Sequence, residues 1–307
     1  MNRRTALLTA LGAAAVGAAG TAQDAQAAAA EGRRTITNRT NVIRTRDGLE
    51  IPFATWGKGP PILLVHAWSL SSAMWCQQVL GLTRAGYSVV TFDRRGHGRA
   101  PDSGAGYDFD TLADDLAAVI DQLALNDVTL VAHSMGSGEA VRYLSRHGDR
   151  KLRRLVLLAP ITPFLRRTDD NPTGLPVSVQ EKILGDIAAD FPKWIADGTR
   201  PFFRPETSPE TMAWMAGMML ATPTPVAHAC AQAFMGEDFR PDLKLIRLPT
   251  LVIHGDRDAS APLAPTGKRT AEMIVGARLE VIGGAPHGLF ITDAERVNRL
   301  ITEFART

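Results

Sequence analysis

The chain has 307 residues, 45% of them hydrophobic and 21% charged, enough apolar side chain for one large core. Thirty-four basic against thirty-two acidic side chains leave a formal charge of +2 that gathers into no basic block, which argues against a nucleic-acid partner. No Walker loop, dinucleotide fingerprint or metal-spaced His/Cys/Glu set occurs, so neither a cofactor nor a metal is expected.

The first thirty residues are a different material. Met1-Asn2-Arg3-Arg4 is a charged start, Thr5 to Thr21 is a mild alanine- and glycine-rich stretch, and Ala25-Gln26-Ala27 offers a small-residue cleavage site. Residues 1–30 therefore read as an export signal. The paired arginines and weak hydrophobicity point to the twin-arginine route, hence to an exported protein. The stretch is short and rich in glycine and alanine for a spanning helix, so no stable membrane association is expected. Cys76 and Cys230 would then meet an oxidising compartment; two unpatterned cysteines read as free and buried rather than bridged.

Residues 31–307 read as one α/β domain. Strands are expected near residues 42–46, 50–56, 61–66, 88–92, 128–133, 154–159, 250–254 and 278–282, most of the later ones alternating with helices. Leu112, Leu116, Val119 and Leu123 recur at helical spacing, with Asp110 placed to cap the start of that helix. Continuous apolar runs such as Leu155 to Leu158 predict strands buried on both faces of a largely parallel sheet. The adjacent pairs Arg94-Arg95, Arg153-Arg154 and Arg166-Arg167 read as solvated surface. Between Pro160 and Pro249 the alternation stops, and helical segments near 178–190 and 208–220 predict a cap inserted after strand six, at about 161–248. Trp194, Phe202, Phe203, Trp214, Met215, Met218 and Met219 make that insertion apolar, and most of them are expected to pack the cap itself.

Four strand ends carry the chemistry. After the third strand comes His66-Ala67-Trp68-Ser69-Leu70, placed to supply one backbone amide of an oxyanion hole, from Trp68; His66 reads as a brace for that loop. Behind Val128 to Val131 comes Ala132-His133-Ser134-Met135-Gly136, and a helix-like stretch follows. A strand-turn-helix elbow there would lift the Ser134 hydroxyl above the sheet, and it needs small residues two positions either side, which Ala132 and Gly136 are. The Met135 amide would be the second oxyanion donor. Late in the chain, Leu251-Val252-Ile253 runs into His254-Gly255-Asp256-Arg257-Asp258, and Leu279 to Ile282 runs into Gly283-Gly284-Ala285-Pro286-His287-Gly288. Serine, acid and histidine in that order supply a nucleophile, an orienting carboxylate and a general base, His287. Spacing alone leaves Asp256 and Asp258 both open as the acid.

His66-Ala67-Trp68, Phe92-Asp93-Arg94-Arg95-Gly96-His97-Gly98, Ala132 to Gly136, Asp238-Phe239-Arg240-Pro241-Asp242, Leu251 to Asp258 and Ala285 to Gly288 together resemble the cofactor-free (non-haem) haloperoxidase and arylesterase family, over about residues 40 to 307. The resemblance implies the α/β-hydrolase fold, with a mostly parallel eight-stranded sheet, helices on both faces and the helical cap. It implies serine carboxylesterase activity on small or aromatic esters, with peracid formation or lactone opening as alternatives on the same residues. It favours Asp258 as the acid, leaving Asp256 as a turn residue, and it places Ile161, Phe164, Phe202 and Leu289 with Trp68 around the substrate. The partner implied is a small-molecule ester; whether identical chains assemble stays open.

The chain departs from the family at three positions. Ala67 and Ala132 replace glycines, small for small. Ser69 stands where the better perhydrolases carry proline, which implies weak perhydrolysis. Gly288 stands where plant cyanohydrin lyases on this fold carry lysine, and Ser134 stands where dehalogenases and epoxide hydrolases carry aspartate, so both of those readings recede. A binding protein that had lost its catalysis would lack one of the three side chains, and none is missing.

Overall fold

Strands that are apolar at every position cannot leave a face to water, so they must be covered on both sides. In the computed structural model, which describes residues 41–307, that is their arrangement. The export-signal reading of residues 1–30 lies outside the described residues. Eight strands form one sheet: β1 (Val42–Arg44), β2 (Glu50–Trp56), β3 (Pro61–Val65), β4 (Ser88–Phe92), β5 (Val128–His133), β6 (Leu152–Leu158), β7 (Thr250–Gly255) and β8 (Arg278–Ile282). Their spatial order is β1-β2-β4-β3-β5-β6-β7-β8. The β1–β2 and β2–β4 pairs are antiparallel, and every pair from β4 to β8 is parallel. All eight expected strands are present, with boundaries displaced by at most two residues.

The helices are α1 (Cys76–Arg84), α2 (Phe109–Gln122), α3 (Met135–His147), α4 (Val177–Thr199), α5 (Pro209–Leu220), α6 (Thr224–Gly236), α7 (Arg240–Leu243), α8 (Arg269–Met273), α9 (Leu289–Thr292) and α10 (Ala294–Arg306). One face of the sheet is covered mainly by α2 and α3, through Leu112, Leu116, Val119, Val141 and Leu144. On the other face α1, α9 and α10 pack with Leu82, Phe290, Val297, Leu300 and Ile301. Between β6 and β7 run α4 to α7. Ile187, Phe191 and Ile195 of α4, Met215 and Met219 of α5, and Ala231 and Met235 of α6 are buried in that second cluster. Trp214 stays exposed.

Two local expectations are corrected. The carboxylate that caps α2 is Asp108, whose side chain accepts from the Thr111 N–H at 2.9 Å; Asp110 lies inside the first turn, where it pairs with Arg142 and Arg146. Asp108 takes the role because its backbone is still extended (φ −76, ψ 155), as a cap requires. The helix near 178–190 extends to Thr199 through a break at Asp190 (φ −155, ψ 78), where Pro192 removes a backbone donor and Asp190 caps the restart by accepting from Lys193 N–H at 2.9 Å.

The arginine pairs are corrected too. Arg94 and Arg95 are both 1% exposed, and Arg154 is buried beside an exposed Arg153. The first two turn inward because each guanidinium finds a carboxylate there: Glu139 for Arg94, and Asp115 with Asp47 for Arg95. Of Arg166 and Arg167, only the second is exposed. Both cysteines are free, but only Cys230 is buried; Cys76 is exposed.

Replacing Asp108 by alanine removes the α2 cap and should lower stability by about 1 kcal/mol, read as a lower urea midpoint at unchanged slope. No change in midpoint would show that another group satisfies that helix end.

Candidate active site

β3 lies between β4 and β5, so the chain leaves β3 toward one side of the sheet and returns, as β5, on the other. The crevice above the carboxyl ends of two such strands is where open α/β sheets bind ligands. Val65 stands opposite Ala132, which brings the loop after β3 beside the turn after β5.

Ser134 forms that turn with φ 55 and ψ −119, a conformation that costs a non-glycine residue on the order of 1–3 kcal/mol. The turn is held from both sides: the Ser134 N–H donates to Leu158 O at 3.0 Å, and Ser137 returns both its N–H and its hydroxyl to Ser134 O. Gly136 is small for a concrete reason. A β-carbon there would stand 2.8 Å from Val65 O and 2.9 Å from His66 O, so any side chain would drive α3 away from β3.

The structure brings the three expected side chains together. His287 Nε2 lies 2.8 Å from Ser134 Oγ, and His287 Nδ1 lies 2.6 Å from Asp258 Oδ2. Asp258 accepts the Ser260 and Ala261 N–H groups at 2.9 and 2.7 Å on its other oxygen. Asp256 is exposed and accepts the Gly284 N–H at 2.6 Å, a turn role. Serine and imidazole are almost closed off, 7% and 4% exposed. Burial alone would raise the Asp258 carboxyl, but the His287 charge and the hydrogen bonds from His254 and His287 outweigh it and hold it well below the usual carboxylate range.

Two histidines that sequence reasoning did not assign complete this setting. His254 Nε2 lies 3.1 Å from Asp258 Oδ2 and 2.8 Å from Ala261 O, so its one N–H steadies both the carboxylate and the loop that feeds it. His133 Nε2 donates to His287 O at 3.0 Å, fixing the loop that carries the imidazole. Burial pushes His133 well below the ordinary histidine value, so it stays a neutral donor. His254 lies within the acidic turn and His133 beside the serine, but nothing in their spacing announces a contact with the far loop.

Neither the Trp68 nor the Met135 backbone N–H, the two donors expected for an oxyanion hole, donates to a protein acceptor among the described residues. His66 braces the loop as expected: its Nε2 accepts the Arg94 N–H at 2.9 Å while Nδ1 lies 2.8 Å from Ala67 O. Burial and the Arg94 charge hold it well below its ordinary value, hence neutral. Burial pushes the Glu139 carboxyl up to about 7, against the pull of Arg94. The Trp68 indole donates to Ala227 O of α6 at 2.8 Å and stands edge-on to Trp194 at 5.2 Å, so the cap grips this side chain of the loop after β3. Of the substrate-side candidates, Phe202 packs its ring 5.4 Å from that of His287, while Ile161 and Leu289 are buried nearby in chain terms, after β6 and after the histidine. The Phe164 ring carries the Arg240 guanidinium at 4.9 Å.

An α/β-hydrolase-fold family model matches residues 60–294, and the chain belongs to that family. A non-heme chloroperoxidase of Kitasatospora aureofaciens is 39% identical over 86% of this chain and 98% of its own. A bifunctional esterase/perhydrolase of Acinetobacter calcoaceticus is 33% identical over 86% of this chain and 99% of its own. The crystal structure of a bromoperoxidase from Bacillus anthracis superposes with a TM-score of 0.83 at 34% identity, covering 87% of this chain and 99% of that one.

A depressed carboxyl links folding to acidity. As pH falls, the unfolded chain protonates Asp258 near 3.9 while the folded chain keeps it ionised, so its contribution is present above that value and is lost below it. Asp258→Asn should therefore flatten the loss of stability as pH falls from about 4 downward, read as urea midpoints against pH. Parallel wild-type and variant curves would mean that the carboxyl titrates alike in both states.

Proposed function

We propose that this chain is a serine carboxylesterase that hydrolyses small or aromatic esters through an acyl-enzyme. The observation that carries the reading is the unbroken line from Ser134 Oγ through the His287 ring to Asp258, 2.8 and 2.6 Å at its two joints. His287 takes the hydroxyl proton as Ser134 attacks the ester carbonyl, and Asp258 holds the ring in the tautomer that can receive it. Negative charge gathers on the former carbonyl oxygen, which the Trp68 and Met135 amides stabilise. Collapse expels the alcohol with the proton from His287, and a water activated by the same nitrogen then releases the acid. The near-complete burial of the serine and the Phe202 ring against the imidazole favour small uncharged acyl groups. The esterase/perhydrolase relative supports the ester reading.

Ser134→Ala should abolish hydrolysis of an aryl acetate while keeping the fold. Asp258→Asn should lower kcat by as much as ~10⁴-fold by favouring the wrong tautomer, and Asp256→Asn by far less. Near-wild-type turnover of Ser134→Ala, or the reverse order of the two aspartates, would overturn the assignment.

Peracid formation is the second reading, supported by the relatives and weighed by Ser69. Its backbone stands at φ 54, whereas proline is locked near −65°, so the loop here has a path that the proline-bearing members cannot share. With acetate and peroxide, the wild type should form peracid slowly relative to ester hydrolysis; a ratio above one would make perhydrolysis the principal activity.

A further inference from the structure

Arg94 and Glu139 pair within the protein with each side chain 1% exposed. Taking two charges out of water makes such a pair a weak source of stability, but the arginine fork specifies position strictly. Arg94 Nε donates to Glu139 Oε1 at 2.5 Å, one terminal nitrogen to His66 O at 2.6 Å, and the other to Ala67 O at 3.2 Å. Its backbone N–H meets His66 Nε2 at 2.9 Å. The contacts therefore tie three segments: the loop after β4, the loop after β3, and α3.

What they tie is specific. The Ala67 carbonyl and the Trp68 N–H belong to one planar peptide, so a donor on that oxygen fixes the direction of the N–H at the other end and polarises it. Glu139 sits four residues after Met135 on α3, one turn along the same side of the helix. We propose that the Arg94–Glu139 pair is the positioning element that sets the separation and aim of the two oxyanion donors, the amides of Trp68 and Met135. The proposal rests on the esterase reading of those amides. Neither side chain touches the reacting atoms; each acts through the backbone it holds. The neighbouring Arg95 turns the other way, to Asp115 at 2.7 and 2.8 Å and to Asp47, and has no hydrogen bond to residues 66–68. It provides a buried ion pair one residue along that should lack this role.

The test compares Glu139→Gln with Asp115→Asn in the full chain, with kinetics on an aryl acetate and binding of phenylboronic acid. The boronate's tetrahedral adduct on Ser134 places an oxygen where the oxyanion forms. Glu139→Gln should lower kcat at least about tenfold with KM changed less than about twofold, and weaken the boronate in parallel. Asp115→Asn should lower the melting temperature comparably while leaving kcat and boronate affinity within about twofold. If Glu139→Gln does not fold, Arg94→Lys keeps the charge beside Glu139 but cannot span both carbonyls, and should show the same split. Equal effects of the two acid variants on kcat, or an unchanged boronate affinity in the first, would overturn the proposal. Hydrolysis that survives Ser134→Ala is a different result, and brings down the esterase reading on which the proposal rests.

Discussion

The parallel pairing of β3 with β5 decides where everything else can stand. With Val65 opposite Ala132, two carboxyl ends meet at one spot, and the chain that leaves the first must pass within van der Waals reach of the helix that follows the second. Gly136 is the clearest trace of that crowding, since no side chain fits between α3 and the Val65 and His66 carbonyls. The same closeness puts the loop after β3 beside the turn after β5. The strain at Ser134 follows from it as well: only a sharp turn lifts a side chain clear of the sheet at a point where the backbone has no room to drift.

Around this junction the buried polar groups are arranged so that little is left to relax. The Asp258 carboxylate receives two backbone N–H groups and two imidazoles, and the His287 charge with the hydrogen bonds from His254 and His287 holds its pKa below the usual carboxylate range. His133 and His254, both buried, each spend one N–H on a carbonyl of a loop that feeds the site. Hydrogen bonds made inside a protein resist reorganisation, and preorganised dipoles are what the proposed acyl transfer needs. The cap joins the same network through the Trp68 indole and through Thr222, whose hydroxyl donates to Ser69 O at 3.2 Å. The helices over the crevice thus hold the loop that they cover.

Much of this could be read from the chain alone. Strands buried on both faces carry unbroken apolar runs, as at Ile62–Val65 in β3, Leu130–Ala132 in β5, Leu155–Leu158 in β6 and Leu251–Ile253 in β7, and the loop that follows each is where chemistry is to be sought. Ser134 and Asp258 lie on two such loops, His287 follows the partly exposed β8, and the three come in the order that the proposed mechanism requires; Ala132 and Gly136 announce the elbow by their size. The choice of Asp258 over Asp256 came from resemblance, because two carboxylates two residues apart in a turn look alike until the turn is built.

The tertiary structure decided what depends on contacts between distant segments. Arg94 and Arg95 read as surface because charge is normally exposed, and only the approach of Glu139, 45 positions away, and of Asp47 and Asp115 makes their burial affordable. The capping of α2 by Asp108 rather than Asp110 turned on a backbone angle, and the restart of α4 beyond Asp190 on how Pro192 is accommodated. The sequence by itself determined where along the chain the strands lie, which candidate side chains follow them and the apolar character of the cap, since each of those is written in local pattern. Which donor meets which acceptor across the sheet was settled by the fold, because hydrogen bonds and ion pairs of this kind are made between residues that the chain brings together only once it is packed.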